Sequence, residues 1–370
     1  MKLFTVGPVE MYPETLDIAG KQLPYFRTAE FSEIMFENER LIKKAVYAGD
    51  DAKAAFLTTS GTGAMEAAVI NCFTAEDRVL IINGGGFGRR FCEICERHGI
   101  AFDSVDLKFG EVLTKDRLPE CGSNEADLPK TGTAKENFEK KNSKYTGLLV
   151  NIDETSTGQL YDIKMLSEYC KENDMYFIVD AISSFGADEI KFDEYGIDVL
   201  IIGSQKALAL SPGIAITVMS ERIIKDRIEK ITCPCYYLDL RDHLKNMERG
   251  QTPFTPAVGI LLELNQRLQY IDYVGIEKII ANTKELADYF RVKASRGGIK
   301  IPDYPLSNAV TPILFEDGAK HIFETLKNEH DIFITPSGGE LADKLLRVGH
   351  IGNLKKEDYD ELLSTIAGLI

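Results

Sequence analysis

The sequence predicts an α/β fold, in which helices cover a mostly parallel, mixed sheet and a smaller α+β domain follows at the C-terminus. Short apolar runs of strand length alternate with stretches of helical periodicity along the chain. Five of these runs are followed directly by glycine-rich, hydroxyl, aspartate or lysine residues. Because ligands bind outside the carboxyl ends of strands in open α/β sheets, these five junctions also predict a binding site.

The composition is that of an acidic globular protein with a sizeable core. Its 370 residues include 58 acidic and 43 basic side chains, and the net charge of -15 argues against a broad surface for nucleic acid or anionic membranes. No apolar run approaches the roughly 20 residues that span a bilayer. The N-terminus lacks the apolar core of a signal peptide, and the 7 cysteines show no repeated framework. We therefore expect a cytoplasmic protein with reduced thiols.

The first elements of the chain are an extended arm, a helix and a strand–helix unit. Two prolines within residues 1–14 predict the arm, and the apolar spacing of residues 30–48 predicts an amphipathic helix. Residues 54–58 are expected to form a strand, and residues 60–72 a helix with a glycine-rich first turn.

The glycine-rich turn at residues 60–64 is the first candidate site. Its backbone N–H groups and hydroxyls at a helix N-terminus suit a phosphate dianion. The P-loop spacing is absent, and Glu66 stands where a dinucleotide fingerprint that begins at Gly61 needs its third glycine. A phosphate monoester is therefore favoured over a nucleotide. An ordinary helix cap by Ser60 or Thr62 is the alternative.

Three further strands are predicted at residues 78–83, 147–152 and 176–179. A glycine-rich loop follows the first, and its Phe87 suits either stacking on a heteroaromatic ring or packing under a neighbouring loop. The second precedes the sequence DETSTG, whose hydroxyls can bond an anionic oxygen or cap the next helix. The third runs into Asp180, whose burial is costly unless a cation or a protonated heterocycle pairs with it.

The fifth junction carries Lys206, which follows an apolar strand predicted at residues 199–202. A lysine beyond a strand end can be partly desolvated, which lowers the pKa of its ammonium and makes the amine a nucleophile. A solvated surface lysine is the alternative. Together the five junctions supply the parts that hold pyridoxal phosphate, namely a lysine for the Schiff base and an acid that keeps the pyridine nitrogen protonated.

Two other features are not expected to carry chemistry. The polar residues 108–145 are loop-like, with a helix at residues 134–141. Cys92 and Cys95 form a C-x-x-C spacing without a second pair, so no metal site is expected.

The last candidate lies in the C-terminal region, after a helical pattern at residues 257–293. Arg347 falls in a short apolar strand, where a buried guanidinium needs a planar anion. A substrate carboxylate satisfies this need, and a structural ion pair is the alternative. His350 lies three residues on, where it either lines the pocket or packs in the interior.

These motifs resemble the class V aminotransferases of fold type I, and the resemblance runs along essentially the whole chain. GSQKAL around Lys206 looks like the alanine–glyoxylate and serine–glyoxylate aminotransferases, whereas INGGGFGRR, DETSTG and DAISSFGA look closer to 2-aminoethylphosphonate–pyruvate aminotransferase. The resemblance implies a large domain that binds pyridoxal phosphate over residues 15–256 and a small domain over residues 257–370, joined by the arm at residues 1–14. It also implies amino transfer from a small donor to pyruvate or glyoxylate, by a ping-pong mechanism through a Lys206 Schiff base.

The resemblance further assigns roles to single residues. Lys206 would attach the cofactor and move a proton, and Asp180 would pair with the pyridinium nitrogen. In the same way, Phe87 would stack on the ring, Thr155 would bond its phenolic oxygen, and Arg347 would bind the substrate carboxylate. The residues expected to hold the phosphate are Thr62, Gly63, Ala64 and Gln205, together with Thr255 from the partner subunit of a homodimer. Thr252 on the same loop is a second candidate for that contact.

Rival interpretations are a cysteine desulfurase or another lyase, a nucleotide-binding α/β protein, and a non-catalytic relative. A desulfurase would need a cysteine in a mobile loop near Arg347 and typically has a histidine just before the lysine. Here Gln205 precedes Lys206, and no cysteine lies beyond Cys235. A nucleotide-binding protein would use the glycine-rich GTG and GGG loops to bind its ligand. The retained lysine and aspartate argue against a non-catalytic relative.

Overall fold

A seven-stranded sheet forms the centre of the computed structural model, which describes residues 1–119 and 144–370. The helix predicted at residues 134–141 lies outside the described residues. Within those two ranges, no helix is long and apolar enough to cross a membrane.

The described strands, in chain order, are β1 (Lys2–Leu3), β2 (Lys53–Leu57), β3 (Arg78–Asn83), β4 (Ala101–Asp106), β5 (Gly147–Asn151), β6 (Asp153–Glu154), β7 (Gln159–Leu160), β8 (Tyr176–Asp180), β9 (Val199–Gly203), β10 (Ala215–Met219), β11 (Val310–Leu314), β12 (Ile332–Phe333), β13 (Thr335–Pro336) and β14 (Leu345–Gly349). The described helices are α1 (Pro13–Ala19), α2 (Ala29–Ala45), α3 (Gly61–Cys72), α4 (Gly86–His98), α5 (Ile163–Glu172), α6 (Glu221–Ile223), α7 (Leu240–Met247), α8 (Val258–Val274), α9 (Ile276–Arg296), α10 (Ala319–His330) and α11 (Lys356–Ala367).

The large sheet has the strand order β2-β10-β9-β8-β5-β3-β4. β10 runs antiparallel to both of its neighbours, β2 and β9, and the other neighbouring pairs are parallel. Every strand of this sheet except β10 therefore points the same way. The predicted mixed, mostly parallel sheet is confirmed.

Helices cover both faces of this sheet, which explains why its central strands are continuous apolar runs. All residues of β9 and β10 are buried. One core cluster joins the sheet to α2, α5 and α8, and a second cluster on the other face joins it to α3, α4 and α7. The strand ends therefore lie at the edge of a rigid, closely packed layer.

The C-terminal part contains a three-stranded antiparallel sheet in the order β11-β14-β13. Phe290 on α9 and Ile322 on α10 belong to its core, and Phe4 of the N-terminal arm packs into the same core. The arm also pairs with this part, because β1 runs parallel to β12. Leu264 on α8 packs instead in the core of the large sheet. The division into residues 15–256 and 257–370 stays a prediction.

Candidate active site

The five predicted junctions come together at one edge of the large sheet. β2, β3, β5, β8 and β9 point the same way, so their carboxyl ends lie at the same edge. The geometric prediction drawn from the sequence is thereby confirmed. The roles of the individual side chains depend on what each contacts there.

Lys206 lies in the tight turn that follows β9, where its carbonyl accepts the N–H of Ala209 at 2.8 Å. The side chain is surrounded by protein and keeps only partial contact with solvent. Burial lowers the pKa of its ammonium to about 8; Asp153 opposes this shift and Arg347 adds to it. Roughly a tenth of the amine is therefore unprotonated at pH 7, whereas a solvated surface lysine is almost fully protonated.

The N-terminal arm closes one side of the Lys206 side chain. Gly7 has a φ of +138°, and a Cβ built on it would lie 2.7 Å from Cδ of Lys206 and 2.9 Å from the carbonyl oxygen of Gln205. Only glycine fits this close approach with that backbone conformation. Gln205 itself is half-buried, with its amide near Gly203.

Asp180 is the last residue of β8, and only 5% of its surface is exposed. Its Oδ1 accepts the N–H of Ile182 at 2.8 Å. Burial raises the pKa of its carboxyl to about 7. Within the described part of the chain, no lysine, arginine or histidine forms an ion pair with it. A protonated heterocyclic nitrogen would supply the missing cation.

The first turn of α3 forms a backbone cradle at the sheet edge. Neither Ser60 nor another side chain caps this helix, which argues against an ordinary cap. A Cβ built on Gly61 would lie 2.2 Å from Cδ1 of Ile182, and one built on Gly63 would lie 2.0 Å from Oγ1 of Thr59. The N–H of Ala64 already donates to the carbonyl of Ser60 at 3.3 Å. The preceding N–H groups of the turn are the ones suited to an anion.

Phe87 lies at the start of α4, close to that cradle. The guanidinium of Arg90 lies 4.8 Å from the centre of the Phe87 ring and donates to Oγ1 of Thr62 at 3.0 Å. The backbone N–H groups of Phe87 and Gly88 donate to the buried carboxylate of Glu154, at 3.2 and 3.0 Å. Arg90 and Glu154 thus join the loops that follow β2, β3 and β5. Both were missed by the sequence analysis, although both lie in motifs it singled out.

Thr155 is buried behind the strand ends, and its hydroxyl lies 2.7 Å from Oγ of Ser183. Oγ of Ser183 in turn lies 2.6 Å from Oδ1 of Asp153, and the hydroxyl of Ser184 is hydrogen-bonded to the same oxygen. Asp153 is a second buried carboxyl group near Lys206 that the sequence analysis missed. Its Oδ2 is buried and has no partner among the described residues.

Arg347 projects from β14, and protein carbonyls hold two of its nitrogens. Nη1 donates to the carbonyl of Thr155 at 3.0 Å, and Nη2 donates to that of Pro336 at 2.7 Å. Nε is buried without a partner, and Arg347 forms no ion pair within residues 1–119 and 144–370. Burial lowers the pKa of the guanidinium. An anion would satisfy this group, and the alternative of a structural ion pair has no counterpart among the described residues.

His350 does not line the cleft. It is buried, with one ring nitrogen 2.7 Å from Oγ1 of Thr311 and the other 3.0 Å from the hydroxyl of Tyr359. Burial lowers the pKa of its ring well below the usual value. Its role is packing. Cys92 and Cys95 are free thiols, and the described residues contain no cluster of side chains suited to a metal ion.

Thr255 is exposed on the loop that precedes α8. The neighbouring Thr252 is buried, and its hydroxyl donates to the carbonyl of Phe254 at 2.7 Å. Phe254 stacks on Tyr237 with ring centres 4.9 Å apart, and it also contacts Tyr236. Thr252 therefore shapes the loop, whereas Thr255 is exposed at its surface.

Comparison with known proteins identifies the family. The model described as aminotransferase class-V matches residues 124–351, and the chain belongs to this family. It is 30% identical to an uncharacterized aminotransferase of Methanocaldococcus jannaschii, over 99% of this chain and 90% of that protein. It is 27% identical to L-aspartate–glyoxylate aminotransferase of Paracoccus denitrificans, over 95% of this chain and 86% of that protein. The crystal structure of alanine–glyoxylate aminotransferase from Nostoc sp. superposes with a TM-score of 0.87 at 26% identity, covering 99% and 94% of the two chains.

The protein is thus a pyridoxal phosphate-dependent aminotransferase, and its own residues fit that cofactor. The cleft supplies an uncapped helix N-terminus suited to a phosphate. It also supplies Asp180, a buried carboxyl without a cation, and Lys206, an amine whose pKa is near 8. These three groups are what the phosphate, the ring nitrogen and the aldehyde of the cofactor require.

Proposed function

We propose that this enzyme transfers an amino group from a small amino donor to a small 2-oxo acid, by a ping-pong mechanism in which Lys206 carries the cofactor. The guanidinium of Arg347 is the observation that carries the proposal, because its Nε is buried without a partner among the described residues and its other two nitrogens bond only neutral carbonyls there. A carboxylate can accept two parallel hydrogen bonds from such a group. Since amino acids and 2-oxo acids both contain a carboxylate, one anchor serves both half-reactions.

Bound pyridoxal phosphate supplies an electron sink for the bonding electrons of the substrate Cα–H bond. With the cofactor bound, Nζ of Lys206 would be the base that carries the proton between the substrate Cα and the cofactor. The pKa near 8 supports this assignment, because an acid–base group works best close to the operating pH. Asp180 holds the proton on the ring nitrogen through its buried carboxylate.

The remaining cleft residues hold and orient the cofactor. Phe87 stacks on the ring, with Arg90 against the aromatic side chain, and Thr155 bonds the phenolic oxygen. The phosphate is held by Thr62, Gly63 and Gln205, with Ala64 next to it at the end of the turn, where its N–H is shared with the carbonyl of Ser60. The uncapped first turn of α3 supports this set, together with the glycine positions that tolerate no Cβ.

A homodimer completes the site, with Thr255 reaching the phosphate of the neighbouring subunit. The exposed position of Thr255 supports this arrangement, because an exposed hydroxyl is accessible to a neighbouring subunit. The loop around it carries an aromatic surface formed by Tyr236, Tyr237 and Phe254, of which Tyr236 is 81% exposed. Exposed aromatic patches of this kind mark protein interfaces.

Glyoxylate and pyruvate are the acceptors we propose. The names of the Paracoccus and Nostoc relatives support glyoxylate, whereas the motifs DETSTG and DAISSFGA support pyruvate with 2-aminoethylphosphonate as donor. Alanine, serine, aspartate and 2-aminoethylphosphonate form the donor screen. The measurement is the change in cofactor absorbance when each donor converts the bound cofactor to its amine form.

Replacement of Lys206 by alanine tests the chemistry. We expect the bound chromophore to disappear and transamination to fall by about 10³-fold or more, because the substitution removes the amine that moves the proton. Lys278→Ala is the matched control, since Lys278 is exposed on α9. Retained transamination in the Lys206 variant would refute the proposal. Sulfide release from cysteine would point instead to a desulfurase, and tight nucleotide binding without cofactor binding would point to the nucleotide-binding alternative.

A further inference from the structure

We propose that Asp153 acts as a neutral acid that orients a chain of hydroxyl groups, so that Thr155 donates a hydrogen bond to the phenolic oxygen of the cofactor. The chain runs from Asp153 through Ser183 to Thr155. Asp153 is a positioning residue in this scheme, because it acts on the cofactor through two other side chains. The inference rests on the role proposed above for Thr155.

The geometry of the chain is continuous. Oδ1 of Asp153 lies 2.6 Å from Oγ of Ser183, and that oxygen lies 2.7 Å from Oγ1 of Thr155. All three side chains are buried, with at most 6% of their surface exposed. Water is therefore largely excluded, and the hydroxyl groups depend on one another for their hydrogen bonds.

The protonation state of Asp153 decides which way the chain points, because each hydroxyl carries one proton. If Asp153 is a carboxylate, Ser183 donates to it and Thr155 must donate to Ser183. Only lone pairs of Thr155 then face the phenolic oxygen, which is itself an acceptor. If Asp153 is protonated, it donates to Ser183, Ser183 donates to Thr155, and the proton of Thr155 is free for the cofactor.

The surroundings of Asp153 favour the protonated form. Oδ2 is buried with no partner in the described part of the chain, and an unpaired carboxylate oxygen costs more there than an unpaired carbonyl oxygen. Burial raises the pKa of the carboxyl, and the neighbouring Glu154 acts in the same direction. Lys206 and the hydroxyls of Ser183 and Ser184 oppose the shift, but burial is the largest effect.

Two carboxyl groups near Lys206 would then have different tasks. Asp180 gains a cation when the ring nitrogen of the cofactor is protonated, so it is held ionised. Asp153 and Asp180 interact electrostatically, because a charge on Asp153 raises the pKa of Asp180. Since repulsion between two carboxylates is mutual, an ionised Asp180 in turn disfavours a second charge on Asp153. Neighbouring carboxyls with separated pKa values are a recurrent way to divide such roles.

The experiment measures cofactor absorbance against pH, together with cofactor affinity, in a set of matched variants. Ser183→Ala breaks the chain, whereas Ser184→Ala removes a hydroxyl that donates to the same oxygen of Asp153 but does not lead to Thr155. Asp153→Asn keeps a neutral group that can donate to Ser183 but cannot ionise. Thr155→Val removes the terminal donor.

We expect Thr155→Val and Ser183→Ala to shift the pH titration of the cofactor absorbance by the same amount. Each should also weaken cofactor affinity about tenfold, because one hydrogen bond to a charged oxygen is lost. Ser184→Ala and Asp153→Asn should retain the wild-type titration near neutral pH. At high pH, the wild type should acquire the spectrum of the Ser183 variant, as Asp153 ionises. The Asp153→Asn protein should not.

The failures of the two proposals are distinguishable. If Thr155→Val shifts the titration but Ser183→Ala behaves like Ser184→Ala, the chain is refuted while the role of Thr155 stands. If Asp153→Asn shifts it as Ser183→Ala does, Asp153 acts in its ionised form and the inference is wrong. An unchanged Thr155→Val protein overturns both the role of Thr155 and the inference. Only loss of the Lys206 requirement refutes the aminotransferase mechanism.

A measurement on the loaded wild-type enzyme covers the case in which a serine variant does not fold. Infrared difference spectroscopy between the wild type and the Asp153→Asn protein isolates the carbonyl band of a protonated Asp153 carboxyl. We expect this band at pH 7. Carboxylate bands in its place would overturn the inference without reference to activity.

Discussion

Two buried polar clusters of this protein differ in how completely their polar atoms are paired. In the cleft around Lys206, Nε of Arg347 and Oδ2 of Asp153 are buried without partners among the described residues. In a second cluster, Asp188, Arg291 and His350 use their polar atoms in hydrogen bonds. Because unpaired buried polar atoms cost free energy, the first cluster is arranged for a ligand and the second for stability.

The second cluster, called the paired cluster here, joins the loop after β8 to the C-terminal part. Its members are Asp188, Arg291, Ser307, Asn308, Thr311, His350 and Tyr359. Asp188 accepts from the hydroxyl of Ser307 and from the backbone N–H of Asn308, the latter at 3.0 Å. Arg291 donates to Oγ1 of Thr311 at 2.9 Å. His350 is a member of this cluster, and so it does not reach the cleft.

Arg347→Ala is the substitution that tests the cleft most directly. We expect the KM for amino acid and 2-oxo acid substrates to rise about 100-fold, because a charge-assisted hydrogen-bonded pair is lost. The thermal midpoint should change little, since within the described residues Arg347 donates to two backbone carbonyls and to no carboxylate. Steady-state kinetics and a thermal melt measure both effects.

Arg347→Lys is the matched variant for that measurement. Lysine keeps the positive charge but lacks the planar guanidinium group that can form two parallel hydrogen bonds. The KM of this variant should therefore lie between those of the wild type and the alanine variant. If Arg347→Ala lowers the melting temperature but leaves both KM values unchanged, Arg347 has a structural role like that of the paired cluster. The proposed difference between the two clusters would then be wrong.

Arg291→Ala should have the opposite profile. The substitution leaves the oxygens of Thr311 and Ser307 without their donor in a buried place. We expect the free energy of unfolding to fall by roughly 3 kcal/mol. The KM of the folded fraction should stay near that of the wild type. Denaturant unfolding gives the first quantity. A selective rise in KM without loss of stability would contradict the structural assignment.

Much of the fold could be predicted because the central strands are buried on both faces and read as continuous apolar runs. Five of the predicted strands match the structure to within one or two residues. β4 was missed because it is an edge strand with the alternating sequence AFDSVD. Its Asp103 pairs with Arg78 of β3 at 2.6 Å, a contact that local sequence does not reveal.

The residues of the candidate site could be predicted where the evidence for them lies in neighbouring positions of the sequence. Lys206 and Asp180 follow apolar strands, and their positions can be read from the chain. Arg90 bonds a residue 28 positions away, and Glu154 bonds one 67 positions away. Asp153 is recognised only by its burial and its unpaired oxygen. Such contacts depend on the sheet order, which no spacing in the sequence encodes.

Gly7→Ala tests how tightly the arm constrains the cleft. The added Cβ would meet Cδ of Lys206 at 2.7 Å, and the φ of +138° strains any residue with a side chain. We expect kcat to fall about tenfold, because displacement of a catalytic group by a fraction of an ångström is costly. Gly20→Ala is the control, since a Cβ there has no neighbour closer than 3.8 Å. Equal kcat values for the two variants would show that the arm does not position Lys206.

Asp188→Asn tests the paired cluster through the pH dependence of stability. Burial raises the pKa of Asp188 from 3.8 to about 7. Between these values the native state holds a proton that the unfolded state has released, so this group makes the free energy of unfolding fall as pH rises from about 4 to 7. The asparagine variant cannot titrate at this position. Over this pH range, the slope of its free energy of unfolding against pH should therefore be less negative than that of the wild type, by about 1 kcal/mol per pH unit. Denaturant unfolding at several pH values measures the slope, with Asp17→Asn, an exposed position on α1, as the control. If the Asp188 variant keeps the wild-type slope, Asp188 is ionised in the native state, and its pairing is electrostatic rather than that of a neutral acid.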